Sequence, residues 1–235
     1  AKSFINNGNY VCGCIWDNNH MPTHIVSNTY DDIEKMMGSK YVQSKIEDCY
    51  EQIDDVLKSG KKVLFTGTPC QSKAILYYFK DHKNLYTMTV ICHGVSSPKM
   101  WKDYLSILER KHGKLLLVSM RDKTIGWKDM SDKYIFCNNV KILETLSVDA
   151  FYKKAFIKGL IMKDRCLDCQ YKGDYIKSNI IVGDFWVLPK SIKYIDDDKG
   201  ISCILVNNSK GKEMIDSIES FINYFPVNSK DIIDE

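Results

Sequence analysis

Proline and glycine are scarce, at five and 13 among 235 residues. That excludes a collagen-like repeat and a disordered chain rich in those residues. No stretch approaches the roughly 20 consecutive apolar residues that a membrane-spanning helix needs. A basic-then-apolar leader is also missing, so a soluble, cytoplasmic protein is expected. Neither sign of charge dominates: 33 basic against 30 acidic residues leave a net +3. Such a balance gives no ground for nucleic-acid binding. Arginine is nearly absent, with Arg110, Arg121 and Arg165 standing alone among lysines. Each is worth noting, because the planar guanidinium fork does what an ammonium cannot. An initiator methionine is lacking too. The opening Ala1-Lys2-Ser3-Phe4-Ile5 reads like the end of an amphipathic helix, so residues upstream are expected to be missing.

What is present suits a packed globular chain, with 44% hydrophobic and 27% charged residues. The length allows one large domain or two small ones. Tyr10 to Trp16 reads as a short strand, and Asp31 to Met37 as a helix capped by Thr29 and ended by Gly38. Residues 44–59 carry a helical apolar stripe closed by Gly60. A strand at Val63 to Thr66, a helix with Ala74, Ile75, Tyr78 and Phe79 on one face, and a strand at Leu85 to Ile91 follow. That order predicts a βαβ unit with two parallel neighbouring strands. Ser97-Pro98 opens the next helix, whose stripe is Trp101, Tyr104, Leu105 and Leu108 and whose end is Gly113. Strands are expected at 114–120, 133–137, 180–182 and 201–206. Helices are expected at 148–160, with Phe151, Tyr152, Ala155 and Phe156 inward, and at 213–225. The fold expected is α/β, with a mixed, partly parallel sheet flanked by helices.

Nine cysteines are the largest clue. An odd number at irregular spacing argues against a disulfide framework and for a reducing compartment. Cys70 and Cys92 each sit just past the carboxyl end of a predicted parallel strand, the edge where open α/β sheets bind ligands. Neighbouring strands lie about 5 Å apart, so the two thiols can share one centre. Cys166 and Cys169, a CxxC expected in a loop, add two more. Spacing alone leaves four readings open: a [4Fe-4S] cluster, a structural zinc, a redox dithiol, or no shared site. Cys12, Cys14, Cys49, Cys137 and Cys203 read as small core hydrophobes.

Several motifs now stand in series. They are Gly38-Ser39-Lys40-Tyr41-Val42-Gln43-Ser44, Thr66-Gly67-Thr68-Pro69-Cys70-Gln71 and Cys92-His93-Gly94-Val95-Ser96-Ser97-Pro98. Arg121-Asp122-Lys123 with Gly126-Trp127, Arg165-Cys166 with Cys169, and Gly183-Asp184-Phe185-Trp186 complete the set. In this order the chain resembles the beta subunits of the coenzyme F-420 hydrogenase and dehydrogenase family, over about residues 1–210. The resemblance implies an iron–sulfur flavoprotein oxidoreductase that passes electrons between a [4Fe-4S] cluster and FAD. Its electrons would go to or come from a deazaflavin (coenzyme F-420), a ferredoxin, a hydrogenase- or dehydrogenase-type subunit, or another small redox substrate. Carried over by position, the cluster ligands fall on Cys70, Cys92, Cys166 and Cys169, at the carboxyl edge of the strands. The flavin would meet Gly38, Ser39, Lys40, Tyr41, Gln43, Ser44 and Asp184, with Lys40 neutralising phosphate or reduced flavin. Trp127 and Trp186 would cover the flavin or simply pack. Arg121, Lys123 and Arg165 would tune the cofactors or recruit an acidic partner.

The resemblance also implies a boundary, with residues 1–60 as part of a flavin-contacting N-terminal domain and 61–235 as the iron–sulfur and flavin domain. The Ser- and Gly-rich turn with which the family usually begins is missing, so weak FAD binding by this chain is expected. Val187 stands where the family has Gly, and Arg165 where a small residue is common. A non-catalytic interaction module stabilised by zinc or a cluster is the alternative.

Overall fold

The computed structural model describes residues 1–146, 150–172, 177–190 and 192–227. Helix α1 (Lys2–Asn6) leads into a hairpin of β1 (Tyr10–Trp16) and β2 (Pro22–Ser27). Helices α2 (Tyr30–Met36) and α3 (Cys49–Lys58) precede β3 (Val63–Gly67), α4 (Pro69–Tyr78) and β4 (Leu85–Val90). Then come α5 (Pro98–His112), β5 (Leu115–Asp122), β6 (Ser131–Phe136) and β7 (Lys141–Glu144). The chain closes with α6 (Phe151–Ile157), α7 (Asp164–Leu167), β8 (Ile180–Asp184), β9 (Ser202–Val206) and α8 (Ser209–Asp216).

Six strands form one sheet in the order β2-β1-β3-β4-β8-β9. The inner four are parallel and the outer two antiparallel, so the sheet is mixed as expected. Segments 1–60 and 61–235 both contribute strands to it. The pleat sorts alternate residues to opposite faces. Cys12, Val63, Phe65 and Leu85 pack under α3 and α4, whereas Val11, Leu64 and Tyr86 pack with Ile5, Ile33 and Met214 of α1, α2 and α8. Helices thus cover both faces, as a largely parallel sheet requires. A separate antiparallel sheet, β5-β6-β7, packs on α5 through Trp101, Tyr104, Leu105 and Leu108. Trp101 ties that layer to the hairpin: it stacks on Trp16 at 5.5 Å and donates its indole N–H to the His20 carbonyl at 2.8 Å.

The structure departs from the sequence expectations where tertiary contacts claim the backbone. The helix expected from residue 44 starts at Cys49, because residues 39–45 run extended and laced to their neighbours. There the Lys45 N–H donates to the Pro22 carbonyl at 2.9 Å, and the Gln43 N–H to the Ser96 carbonyl at 3.0 Å. Strands β2 and β7 were not anticipated. Helix α6 points Phe151 to solvent and buries Lys153 instead. Residues 148–149, where that helix was expected to start, lie outside the described residues. The CxxC was expected in a loop. Cys166 sits on the single turn of α7, with Cys169 just beyond it. The final helix starts earlier than expected, at Ser209, where the Asn208 side chain caps it by accepting from the Gly211 N–H.

Candidate functional site

Parallel strands deliver the loops that follow them to one edge of the sheet. β3 ends at Gly67, and Thr68 turns the chain into α4 with Pro69 in its first turn. The Gln71 carboxamide oxygen accepts from both the N–H and the hydroxyl of Thr68, at 3.0 and 3.1 Å. That is capping-box chemistry. It fixes Cys70 on the exposed first turn, its sulfur 3.3 Å from the Thr68 hydroxyl. One strand over, β4 continues through Ile91 to Cys92, and the Ile91 N–H still pairs with the Val182 carbonyl at 2.8 Å.

The CxxC reaches this edge because residues 160–170 are laced to the loop after β4. The Lys163 N–H donates to the Val95 carbonyl at 3.0 Å, and Met162 bridges Ser96. Gly94 is the point of closest approach. Its φ of +156° lies in the range that favours glycine, and a Cβ there would collide with the Met162 sulfur. Cys70, Cys92, Cys166 and Cys169 consequently line one pocket, together with Thr68, Pro69, His93, Gly94, Val95 and Lys172. Burial pushes the Cys92 thiol up to about 11, and its neighbours Cys70, Cys166 and Cys169 add to the shift. A buried thiolate beside other thiolates needs a cation to hold its charge. Among the described residues, no three His, Cys, Asp or Glu side chains converge on a single metal ion.

The segment 38–44 runs along the same edge. At one end, Gln43 accepts from the Lys163 ammonium, and the Ser44 hydroxyl accepts from the Gln71 carboxamide at 2.8 Å. At the other end, Ser39 bridges Met120, and the Tyr41 ring lies 5.0 Å from Phe156 and 5.3 Å from the Lys153 ammonium. Burial raises the Tyr41 phenol, against the Ser39 hydrogen bond and the nearby Arg121 charge. Gly38 turns the chain at φ +83°. Lys40 is half-buried and folds back onto α2. Its ammonium donates to the carbonyls of Met36, Met37 and Gly38 at 3.2 to 3.4 Å, closing the carboxyl end of α2. Burial lowers its pKa.

Asp184, at the end of β8, accepts from Arg121 at 2.6 Å. The Arg121 side chain is only 7% exposed, so it is not a surface hook. Its guanidinium also donates to the Trp127 carbonyl at 3.0 Å and lies 5.7 and 5.1 Å from the Trp127 and Trp186 rings. Behind it, Lys153 pairs with Asp132, which also accepts from the Arg121 N–H at 3.0 Å. Burial pushes Asp132 up and Lys153 down.

The structure therefore brings the four cysteines into one pocket and sets residues 38–44 and Asp184 along the same edge, with the Lys40 ammonium folded back onto the end of α2. Sequence reasoning missed Gln71, Lys163 and the Lys153–Asp132 pair. Only Gln71 had a readable signal, in the spacing Thr68-x-x-Gln71. The donor set suits a four-iron cluster. Zinc at about 2.3 Å from each sulfur would draw tetrahedral ligands to within about 4 Å of one another. A cubane carries each thiolate on a different iron, so its ligands line a pocket without converging on a point.

Residues 60–226 match the family model that describes the C terminus of the coenzyme F-420 hydrogenase/dehydrogenase beta subunit. Among solved structures, the fold is similar to a chain of the F-420-reducing nickel–iron hydrogenase complex from Methanosarcina barkeri. The TM-score is 0.57 at 18% identity, over 93% of this chain and 69% of that one. No curated protein matches by sequence.

Proposed function

The chain belongs to the coenzyme F-420 hydrogenase/dehydrogenase beta-subunit family, and from that premise we propose that it is an iron–sulfur flavoprotein oxidoreductase. In this reading Cys70, Cys92, Cys166 and Cys169 hold a [4Fe-4S] cluster, and residues 38–44 with Asp184 border FAD. When bound, these groups supply the chemistry, exchanging single electrons at the cluster for two-electron steps at the flavin. The single observation that carries the reading is the gathering of four thiols, from the ends of β3 and β4 and from a remote CxxC, into one pocket. A structural zinc more often takes two CxxC-type knuckles, and this chain offers one.

The chain's own residues do the positioning. Thr68 and Gln71 hold the turn that carries Cys70. Gly94 lets the CxxC segment close on Cys92. Gln43 and Ser44 join the 38–44 segment to both parts of the thiol pocket, through Lys163 and Gln71. A flavin lying along that segment would sit beside the cluster. The electron donor or acceptor would be a deazaflavin, a ferredoxin-type protein or a hydrogenase-type subunit. Among the described residues no helix is long and apolar enough to cross a membrane.

Anaerobic purification with iron, sulfide and flavin assays tests this reading. Four irons and four sulfides per chain are expected, with a visible absorption band bleached by dithionite. The flavin released when the protein is denatured should be FAD. A colourless protein carrying one zinc would overturn it.

A further inference from the structure

The rim of the thiol pocket has a character that cofactor binding does not explain. Helix α6 ends in a Schellman turn, with Gly159 at φ +77° and the Leu160 N–H donating to the Ala155 carbonyl at 2.9 Å. The residue after such a glycine usually packs back onto its own helix. Leu160 instead stands 74% exposed. Leu167, which packs beside Gly159, is 60% exposed, and Phe151 at the start of α6 is 72% exposed. Large apolar side chains grouped around a site, rather than scattered, mark an interaction surface.

Charge follows the same rim. Lys154, Lys158, Arg165 and Lys172 are all exposed, and among the described residues none has an ion-pair partner. Lysines on other helices, such as Lys58, Lys99 and Lys212, are neutralised by a carboxylate one turn away. Between residues 151 and 172 the exposed charges are five basic and two acidic side chains, Lys153 being buried against Asp132, in a chain whose net charge is only +3. The balanced whole and the unbalanced rim make this a local field. The rim lies against the thiols: the His93 ring, next to Cys92, contacts the Ile157 carbonyl at 3.2 Å, and Lys172 lines the pocket itself.

We propose that this rim is the docking surface for an acidic electron-carrier protein, with Leu160 and Leu167 as apolar anchors and Lys154, Lys158, Arg165 and Lys172 as the steering charges. The proposal rests on the reading of the thiol pocket as an electron-transfer centre. Apolar anchors inside a charged rim are the anatomy of a protein interface. A polyanion such as nucleic acid needs no such anchors. Complementary charge acts mainly on the rate of association and fades with salt.

The test measures binding of an acidic bacterial-type ferredoxin to the anaerobically purified chain, by surface plasmon resonance at low and high salt. Iron content is assayed on the same samples. Lys154 and Lys158 are exposed on α6 and do not line the thiol pocket, so the variant Lys154→Glu/Lys158→Glu should keep wild-type iron. Its association rate at low salt should fall by about tenfold or more, and the difference should shrink at high salt. Leu160→Ser should speed dissociation and leave association unchanged. Lys111→Glu, on α5, should change neither. Equal rates for wild type and the double lysine variant would overturn the proposal, as would an oligonucleotide that competes for the same lysines. Salt-sensitive binding by a protein devoid of iron would leave the surface standing and overturn the cluster reading instead. Full iron with charge-independent binding would do the reverse. A milder pair, Lys154→Gln/Lys158→Gln, covers the case in which charge reversal impairs folding, and its rate should fall in the same direction.

Discussion

Nine thiols with one formula stand in very different surroundings. Cys12 and Cys49 are wholly buried among aliphatic and aromatic side chains, whereas Cys92 looks into a pocket shared with three other cysteines. Cys92→Ser should therefore abolish iron binding, and Cys49→Ser should lower stability with iron unchanged. Iron and sulfide per chain after anaerobic reconstitution decide it, and full iron in Cys92→Ser would sink the four-thiol assignment. A second prediction concerns His24. Its ring stacks on Phe65 at 5.6 Å, and its Nε2–H donates to the Thr66 carbonyl at 3.0 Å. Its Nδ1 is buried without a partner, and burial lowers its pKa below the ordinary 6.5. Below that pH the unfolded chain binds a proton that the folded one resists, so stability rises with pH across the window. The contribution is complete above about pH 6.5 and is lost as pH falls toward the depressed folded value. His24→Phe removes the proton site. Its melting temperature should be lower than wild type at about pH 7.5 but should fall less on going to about pH 5.5. Parallel declines would show that His24 is not the titrating group.

Elements whose identity rests on local chemistry were legible in the sequence. α5 carries its own signals, Ser97 as cap, Pro98 in the first turn, a four-residue stripe and Gly113, and it forms as read. The βαβ unit from Val63 to Val90 likewise follows from apolar runs separated by a helix. β2 was missed although Asp17-Asn18-Asn19 announces a turn, because Thr23 and His24 break the apolar run of an edge strand. α6 could not be read at all in one respect. Nothing in Lys153-Lys154 says which lysine is buried; Asp132, 21 residues earlier, decides it. That pair joins α6 to β6 with both side chains under 3% exposed. Breaking a buried pair leaves an uncompensated charge and costs about 3–5 kcal/mol, whereas replacing both members is far milder. Lys153→Met should thus lower the urea midpoint sharply, and Lys153→Met/Asp132→Asn should recover much of the loss. Equal midpoints for the single and double variants would mean that the pair does not hold α6 in place.

At the scale of the whole molecule, the two sheets meet at the carboxyl edge, and the Arg121–Asp184 contact joins them there. Of the candidate site, the gathering of four cysteines at one edge was readable, because parallel strands deliver their following loops there. Lys40 was not, because only the fold shows its ammonium closing α2. Arg121 was expected to tune the cofactors or recruit an acidic partner, and the structure buries it beside two indoles packed on each other at 4.5 Å, at the end of β5, with a left-handed φ of +60°. Its fork makes two separate bonds, one to the Trp127 carbonyl and one to Asp184. An ammonium cannot reproduce that geometry. A charge-assisted hydrogen bond is worth about 1.5–3 kcal/mol, and Asp184, being partly exposed, belongs at the low end. Arg121→Lys and Arg121→Ala should therefore behave alike, loosening the three-stranded sheet from the edge of the main sheet. Trp186, already half exposed, should then show red-shifted fluorescence. The thiol pocket is built by the loops after β3 and β4 and by the CxxC segment, none of which touches Arg121 through these bonds. Iron content should accordingly stay at the wild-type level while FAD retention falls, since the proposed flavin site lies along 38–44 and Asp184. Loss of iron in step with flavin would show that the two ends of the edge are not independent. Unchanged fluorescence and flavin would reduce the Arg121–Asp184 contact to an ordinary surface pairing.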